Sequence, residues 1–115
     1  MNNELQNPEM AAHSFLSDMY LDDYFPNHLV AKGEQILRDL CAQLDANPPR
    51  SLEGLYELTQ AATERFNDLD EEFNDADSQI ETTARECIAG DFATIAQAYG
   101  YEGYDIEELI ATRDW

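Results

Sequence analysis

The sequence predicts an all-α protein, a compact antiparallel bundle of four to five helices. Apolar residues recur at three- and four-residue spacing through most of the chain, and the alternation of apolar and polar residues that marks β-strands is missing. A length of 115 residues suits one domain with one hydrophobic core. We therefore expect a single helical domain over residues 1–115, in which residues 1–7 form a flexible N-terminal tail.

Prolines delimit the first two predicted helices. The first helix is expected to run from near Pro8 to about Tyr20, because proline is accepted in the first turn of a helix. Pro26 disfavours helical backbone at Phe25 and so separates this helix from the next. The second helix should end before residues 48–49, which are both proline. Its apolar face consists of Leu29, Val30, Gly33, Ile36, Leu37, Leu40, Cys41 and Leu44.

A third helix is predicted after Ser51, which is a good N-cap residue. Its apolar and small residues alternate steps of three and four, as in a heptad seam, and the shortness of the pattern favours packing within one chain over a dimeric coiled coil. Those residues are Leu52, Leu55, Thr59, Ala62, Phe66, Leu69 and Phe73.

Capping signals predict two further helices. Ser78 and Glu81 have the spacing of a capping box, so a fourth helix should begin at Ser78 and end at Gly100. Gly90 lies inside this helix, where glycine is unfavourable, and it is interpreted as a point of close helix packing. Asp105 repeats the capping signal before a short last helix, and Trp115 is expected to anchor the C-terminus.

Charge is the most informative feature of the composition. The chain has 25 acidic and 6 basic residues, a formal charge of −19 at pH 7. Such an imbalance repels nucleic acid and anionic membranes and speeds encounter with basic proteins. The sequence also has neither a basic, apolar leader nor an apolar run long enough to span a bilayer. We therefore expect a cytoplasmic protein with a basic protein partner, no direct nucleic-acid binding and no membrane association.

Recognisable catalytic and metal-binding motifs are missing, so we expect neither an enzyme nor a cofactor. His13 and His28 lack the glutamate three residues earlier that carboxylate-bridged di-iron bundles use. Residues 70–81 approach a calcium-loop template, but Asp75 stands where the turn requires glycine and Asp77 where the loop is usually apolar. The polar end of a helix is the simpler interpretation, and no metal site is predicted.

The two cysteines are predicted to behave as small buried hydrophobic residues. Cys41 and Cys87 lie far apart in the sequence and fall on apolar faces of predicted helices. A reactive thiol requires a cationic neighbourhood, which a chain of this composition hardly offers.

Three segments are candidates for partner binding. Residues 68–77 hold six carboxylates without an intervening base, and a helix would space them about 2.7 Å apart along its axis, against about 1.7 Å per charge in duplex DNA. Residues 18–25 interleave carboxylates with aromatic residues, a mixture that suits an interface. Residues 99–105 alternate tyrosine with glycine and acid. A solvated helix surface and aromatic packing are the structural alternatives. The candidate residues are Asp18, Asp22, Asp23, Tyr24, Asp68, Asp70, Glu71, Glu72, Asp75, Asp77, Tyr101 and Tyr104.

Several short segments give the chain a family resemblance. From about Ser14 to Trp115 it resembles a family of short, acidic, all-helical bacterial proteins of unknown function. In size, acidity and helical content it is also similar in type to the immunity proteins that neutralise bacterial toxins. The segments that carry the family resemblance are SDMY at 17–20, DDYFP at 22–26, LYELT at 55–59, FNDL at 66–69, IEELI at 106–110 and RDW at 113–115.

These observations favour a non-enzymatic acidic binding protein, an immunity or inhibitor protein that neutralises a basic toxin or nuclease by direct contact. The alternative is a nucleic-acid mimic that acts on a DNA- or RNA-binding protein, and competition with nucleic acid separates the two. A third hypothesis is an enzyme or metal-binding protein whose site, assembled across helices, leaves no local motif.

Overall fold

Regular structure in residues 5–115, which the computed structural model describes, is helical throughout. Three long helices carry most of the core, and three short segments pack around them. The predicted all-α bundle is therefore confirmed for this part of the chain. In order, the helices are α1 (Pro8–Ala12), α2 (Ser17–Tyr20), α3 (Asn27–Ala46), α4 (Leu52–Asp75), α5 (Thr82–Ala98) and α6 (Ile106–Leu109).

Helices α3 and α4 form an antiparallel hairpin. Lys32 near the start of α3 pairs with Glu72 near the end of α4, and Asp39 pairs with Arg65 further along. The predicted apolar stripe of each helix is buried in this arrangement apart from the partly buried Leu52, and Leu55 is inaccessible to solvent. Helix α5 packs against the hairpin, and α6 lies against both α4 and α5.

Three predicted helix ends are confirmed. The Ser51 side chain accepts a hydrogen bond from the Gly54 N–H at 3.1 Å, and the Asp105 side chain accepts one from the Glu107 N–H at 3.0 Å. Helix α5 stops where Gly100 takes a left-handed conformation with φ of +82°, which glycine adopts without steric cost.

The prediction of one continuous helix from Pro8 to Tyr20 is wrong. Helices α1 and α2 are separated around Leu16, whose φ is +53°. The Leu16 N–H donates a hydrogen bond to Asp91 Oδ2 at 2.7 Å, and the Leu16 side chain is 1% exposed. A left-handed residue cannot continue a right-handed helix, so a hydrogen bond from outside the segment overrides its local helical pattern.

The predicted start of the fourth helix at Ser78 is also wrong. Helix α5 begins at Thr82, with Glu81 as its N-cap residue. Ser78 instead completes the end of α4, because Asp77 is left-handed with φ of +61° and the Ser78 N–H donates to the Phe73 carbonyl at 2.8 Å. This is the hydrogen bond of a Schellman motif, and it commits Ser78 to the preceding helix.

Close helix packing occurs at Gly33 and not at Gly90, where it was predicted. A Cβ atom at Gly33 would lie 3.0 Å from Leu16 Cδ1 and 3.0 Å from Phe66 Cε1, whereas one at Gly90 would meet no atom of residues 5–115 within 4 Å. Helix α3 therefore needs glycine to admit the side chains of its neighbours, and Gly90 is on an exposed surface of α5.

Both ends of the described chain are tied to the bundle. Trp115 is 9% exposed and packs on Phe66, with ring centroids 6.2 Å apart, as the anchoring prediction required. Residues 1–4 of the expected tail lie outside the described residues. Leu5, however, is buried, and the Asn7 side chain donates to the Ala98 carbonyl at 2.9 Å, so residues 5–7 belong to the fold.

Candidate functional site

The outer side of α4 carries a row of exposed carboxylates, which we call the α4 acidic face. Six acidic side chains recur over about 33 Å of helix, and at 100° per residue they fall within an arc of about 60°. None of them takes part in an ion pair or a side-chain hydrogen bond within residues 5–115. The members of the α4 acidic face are Glu53, Glu57, Glu64, Asp68, Glu71 and Asp75.

The acidic run predicted as one surface is divided by the fold. Asp68, Glu71 and Asp75 lie on the α4 acidic face and are exposed, as is Asp77 beyond the helix end. Asp70 points its Oδ1 at the Ile80 N–H, 2.9 Å away, and so holds the turn into α5. Glu72 contacts Lys32 of α3 at 2.6 Å. Asp70 and Glu72 thus have structural partners that the charge pattern did not indicate.

The second predicted segment lies at the same end of the molecule as the end of α4. Phe25 packs edge-on against Phe73 with centroids 6.1 Å apart, and Tyr24 packs on Phe25 at 5.0 Å. Tyr24 itself is 41% exposed. The structure therefore brings together two segments that lie almost fifty positions apart in the sequence. Asp18, Asp22 and Asp23 of this second segment are exposed.

The third predicted segment is engaged in packing at the opposite end of the bundle. The Tyr101 hydroxyl donates to the Pro49 carbonyl at 2.6 Å, and the Tyr104 hydroxyl accepts from Gln97 Nε2 at 2.6 Å. Both tyrosines are half-buried against the core. Burial raises the pKa of Tyr101. These contacts account for Tyr101 and Tyr104 without a partner, and the structure does not join them to the acidic segments.

A pair of titratable groups, a buried carboxylate and a partly exposed histidine, was not predicted from the sequence. Asp91 of α5 is 9% exposed, and its Oδ1 lies 2.9 Å from His13 Nε2. The sequence contained a signal for this pair, because Asp91 is a charged residue on the apolar helix face formed by Ile88, Phe92 and Ile95. A carboxylate at a core position requires a hydrogen-bonding partner from elsewhere in the fold.

The cysteines are free thiols in a protective environment. Cys41 is inaccessible to solvent, as predicted, and burial raises its pKa to about 12. Cys87 is half-buried, and burial followed by the charge of Asp91 raises its pKa as well. Both thiols are therefore protonated at neutral pH, which is the unreactive form.

The described part of the chain contains neither a cluster of metal ligands nor a helix that could span a membrane. No group of three or more His, Cys, Asp or Glu side chains in that part could hold a metal ion. Asp70, which stands at the first position of the calcium-loop template, accepts a hydrogen bond from the Ile80 N–H instead. None of the helices between Leu5 and Trp115 combines the length and apolar character that crossing a bilayer requires.

Comparison with known proteins adds a family to this description. Neither the curated proteins nor the solved structures include a match to this chain. A family model described as "Family of unknown function (DUF5713)" matches residues 9–115, in agreement with the predicted resemblance to a family of unknown function. Since the match covers the six helices of the described residues except the first residue of α1, the chain belongs to that family.

Proposed function

We propose that this chain is a non-enzymatic binding protein whose α4 acidic face docks onto a basic partner protein. The partner class is that of a basic toxin or nuclease, which an immunity or inhibitor protein neutralises by covering its site. The observation that carries the proposal is the row of six carboxylates between Glu53 and Asp75, exposed and without a cationic partner in residues 5–115. Such a surface attracts a basic protein over a distance and speeds its encounter.

The position of these charges is costly for the isolated protein. The last five residues of α4 contain Glu71, Glu72 and Asp75 and no basic residue, although the carbonyl end of a helix favours cations by about 0.3–1 kcal/mol per charge. Of the three, only Glu72 has a partner within residues 5–115, namely Lys32. A basic surface placed against this end would remove the repulsion, so the arrangement is more easily understood for a bound protein than for a free one.

The charge spacing favours an inhibitor over a nucleic-acid mimic. Along the α4 acidic face one charge occurs per about 6–7 Å of helix, against one per about 1.7 Å in duplex DNA. The denser spacing expected from the sequence included Asp70 and Glu72. In the folded chain these two carboxylates contact the Ile80 N–H and Lys32. Mimicry of duplex DNA therefore has less support than recognition of a protein surface of modest charge.

Affinity capture with matched variants tests the proposal. One variant replaces Glu64, Asp68 and Glu71 by lysine. Its control replaces three exposed acidic residues outside α4, Glu9, Glu86 and Glu102, and so has the same net charge. We expect one stoichiometric basic protein to be retained at moderate salt by the wild type and by the control, and to be lost from the α4 variant.

Two outcomes of the capture would contradict the proposal. A partner bound equally by both variants would place the contact elsewhere. If all bound proteins were lost together when salt is raised, the acidic charge of this chain would serve only to solvate its surface. Adding DNA or RNA to the captured complex tests the alternative function, that of a nucleic-acid mimic. A mimic occupies the nucleic-acid site of its partner, so the nucleic acid and this protein would then exclude each other.

A further inference from the structure

A cleft lies between the α1–α2 corner and α3, apart from the α4 acidic face. Its volume is about 470 Å³, within the range of about 300–1,000 Å³ typical of small-molecule sites. The rings of Phe15 and Tyr20 and the side chain of Leu21 line it together with Arg38 and Glu34. Leu21 is 84% exposed, the largest exposure of any large apolar side chain in the described residues. The cleft therefore offers an apolar rim beside a charged wall.

Both oxygens of each carboxylate at or behind this cleft already have a hydrogen-bonding partner. Glu34 accepts a hydrogen bond from the Tyr20 hydroxyl on Oε1 at 2.7 Å and from Arg38 Nε on Oε2 at 2.8 Å. Behind the wall, Asp91 is contacted by His13 on Oδ1 and by the Leu16 N–H on Oδ2. Burial and the bond to Glu34 raise the pKa of Tyr20 to about 12, so its proton stays on the hydroxyl at neutral pH.

Arg38 is fixed in place but retains unused donors. Its Nε is bound to Glu34, and its guanidinium carbon lies 5.1 Å from the centre of the Phe15 ring. The His13 ring packs edge-on against the same Phe15 at 4.8 Å. Both terminal nitrogens of the guanidinium are without a hydrogen-bond partner in residues 5–115, and the side chain is 29% exposed. N–H donors that are held in position and unpaired are suited to bind the acceptor oxygen of a ligand.

We propose that this cleft binds a small organic carboxylate with an apolar body. The two terminal nitrogens of Arg38 present the fork that a carboxylate accepts in bidentate fashion, and the exposed hydroxyls of Ser14 and Ser17 at the same cleft add donors. The apolar body lies against Leu21 and Tyr20. This ligand is distinct from the basic protein partner, and the site is independent of the α4 acidic face.

Three probes of the same shape and different charge test this site: benzoate, benzyl alcohol and benzylammonium. Each is titrated into the ¹⁵N-labelled full chain at about 0.15 M salt, where the Debye length is about 8 Å. In a protein of charge −19 a cation is attracted everywhere, so only local donors can make the anion the preferred ligand. We expect saturable shifts from benzoate at Leu21 and Arg38, and weaker binding of the other two probes.

Substitutions identify the groups responsible. Arg38→Gln should weaken benzoate binding about tenfold or more, since a hydrogen bond to a charged group of this kind is lost, while Arg65→Gln, at an exposed arginine of α4, should leave it unchanged. Leu21→Ala, at a side chain too exposed to affect folding, should weaken benzoate and benzyl alcohol alike. Absence of saturation with benzoate, benzylammonium binding as tightly, or an unchanged affinity in Arg38→Gln would overturn the proposal.

Discussion

The carboxylate of Asp91 holds Leu16 in a left-handed conformation, because its Oδ2 accepts the Leu16 N–H at 2.7 Å. The other oxygen lies 2.9 Å from His13 Nε2. One side chain of α5 thus fixes the corner between α1 and α2, and this corner forms one wall of the cleft that contains Arg38.

Removal of this carboxylate should be strongly destabilising. In Asp91→Ala the buried Leu16 N–H and His13 lose their acceptor, for which we expect a loss of about 2–4 kcal/mol in the free energy of unfolding. Asp18→Ala, at an exposed carboxylate nearby in the fold, should change it by less than about 0.5 kcal/mol. Urea unfolding at pH 7 measures both. A loss below about 1 kcal/mol for Asp91→Ala would show that Leu16 does not depend on this bond.

Alanine at the two helical glycines should have effects of opposite sign. At Gly33 the new methyl group would press on Leu16 and Phe66, both 1% exposed, and overpacking of this kind costs about 1–3 kcal/mol. At Gly90 the methyl group meets open space, so the better helix propensity of alanine should stabilise the protein by about 0.5–1 kcal/mol. Thermal unfolding of the two variants is the measurement. Stabilisation by both substitutions would mean that α3 has room at Gly33.

Removing a negative charge at the two ends of α4 should change the free energy of unfolding with opposite signs. Glu71→Gln and Asp75→Asn each remove a negative charge from the carbonyl end of the helix and should raise the free energy of unfolding by about 0.3–1 kcal/mol at low salt. Glu53→Gln makes the same change in the first turn, where an acid is favourable, and should lower it. If all three substitutions moved stability in one direction, general repulsion would outweigh the helix dipole.

Raising the pH above about 9 should destabilise the fold. Burial raises the pKa of Cys41 from 9.0 to about 12, and burial with the bond to Glu34 raises that of Tyr20 from 10.0 to about 12. The unfolded chain therefore releases these protons first. The stabilisation is complete below about pH 9 and is lost as the pH rises towards 12. Urea midpoints in reducing buffer should fall over this interval, more gently in Tyr20→Phe. A flat profile from pH 9 to 11 would contradict the assignment.

Local signals were sufficient for most of the fold. Ser51 and Asp105 cap the helices they were expected to cap, and Gly100 ends α5 in the conformation that glycine favours. Periodicity also identified the buried faces of α3 and α4. These features depend on neighbours in the sequence, within one helical turn, so a single sequence contains them.

Two of the errors involve contacts between distant residues, and the third, at Ser78, involves the local hydrogen bonding of a helix end. Leu16 lies in a helical pattern that Asp91, 75 positions away, interrupts. Ser78 has the sequence of a cap but completes the end of α4, and Gly33, an ordinary member of an apolar face, is the true point of close approach. For the candidate site, charge density was readable from the sequence. Which carboxylates remain unpaired was not, because Lys32 and the Ile80 N–H reach Glu72 and Asp70 only in the folded chain.

The association rate with the captured partner tests the central claim most directly. It is measured for the wild type and for the variant with lysine at positions 64, 68 and 71, at low and at physiological salt. If the α4 acidic face steers the partner, the wild-type rate constant falls steeply as salt is raised, while the variant associates slowly at low salt and responds little. Equal rate constants for the two proteins at both salt concentrations would contradict the claim.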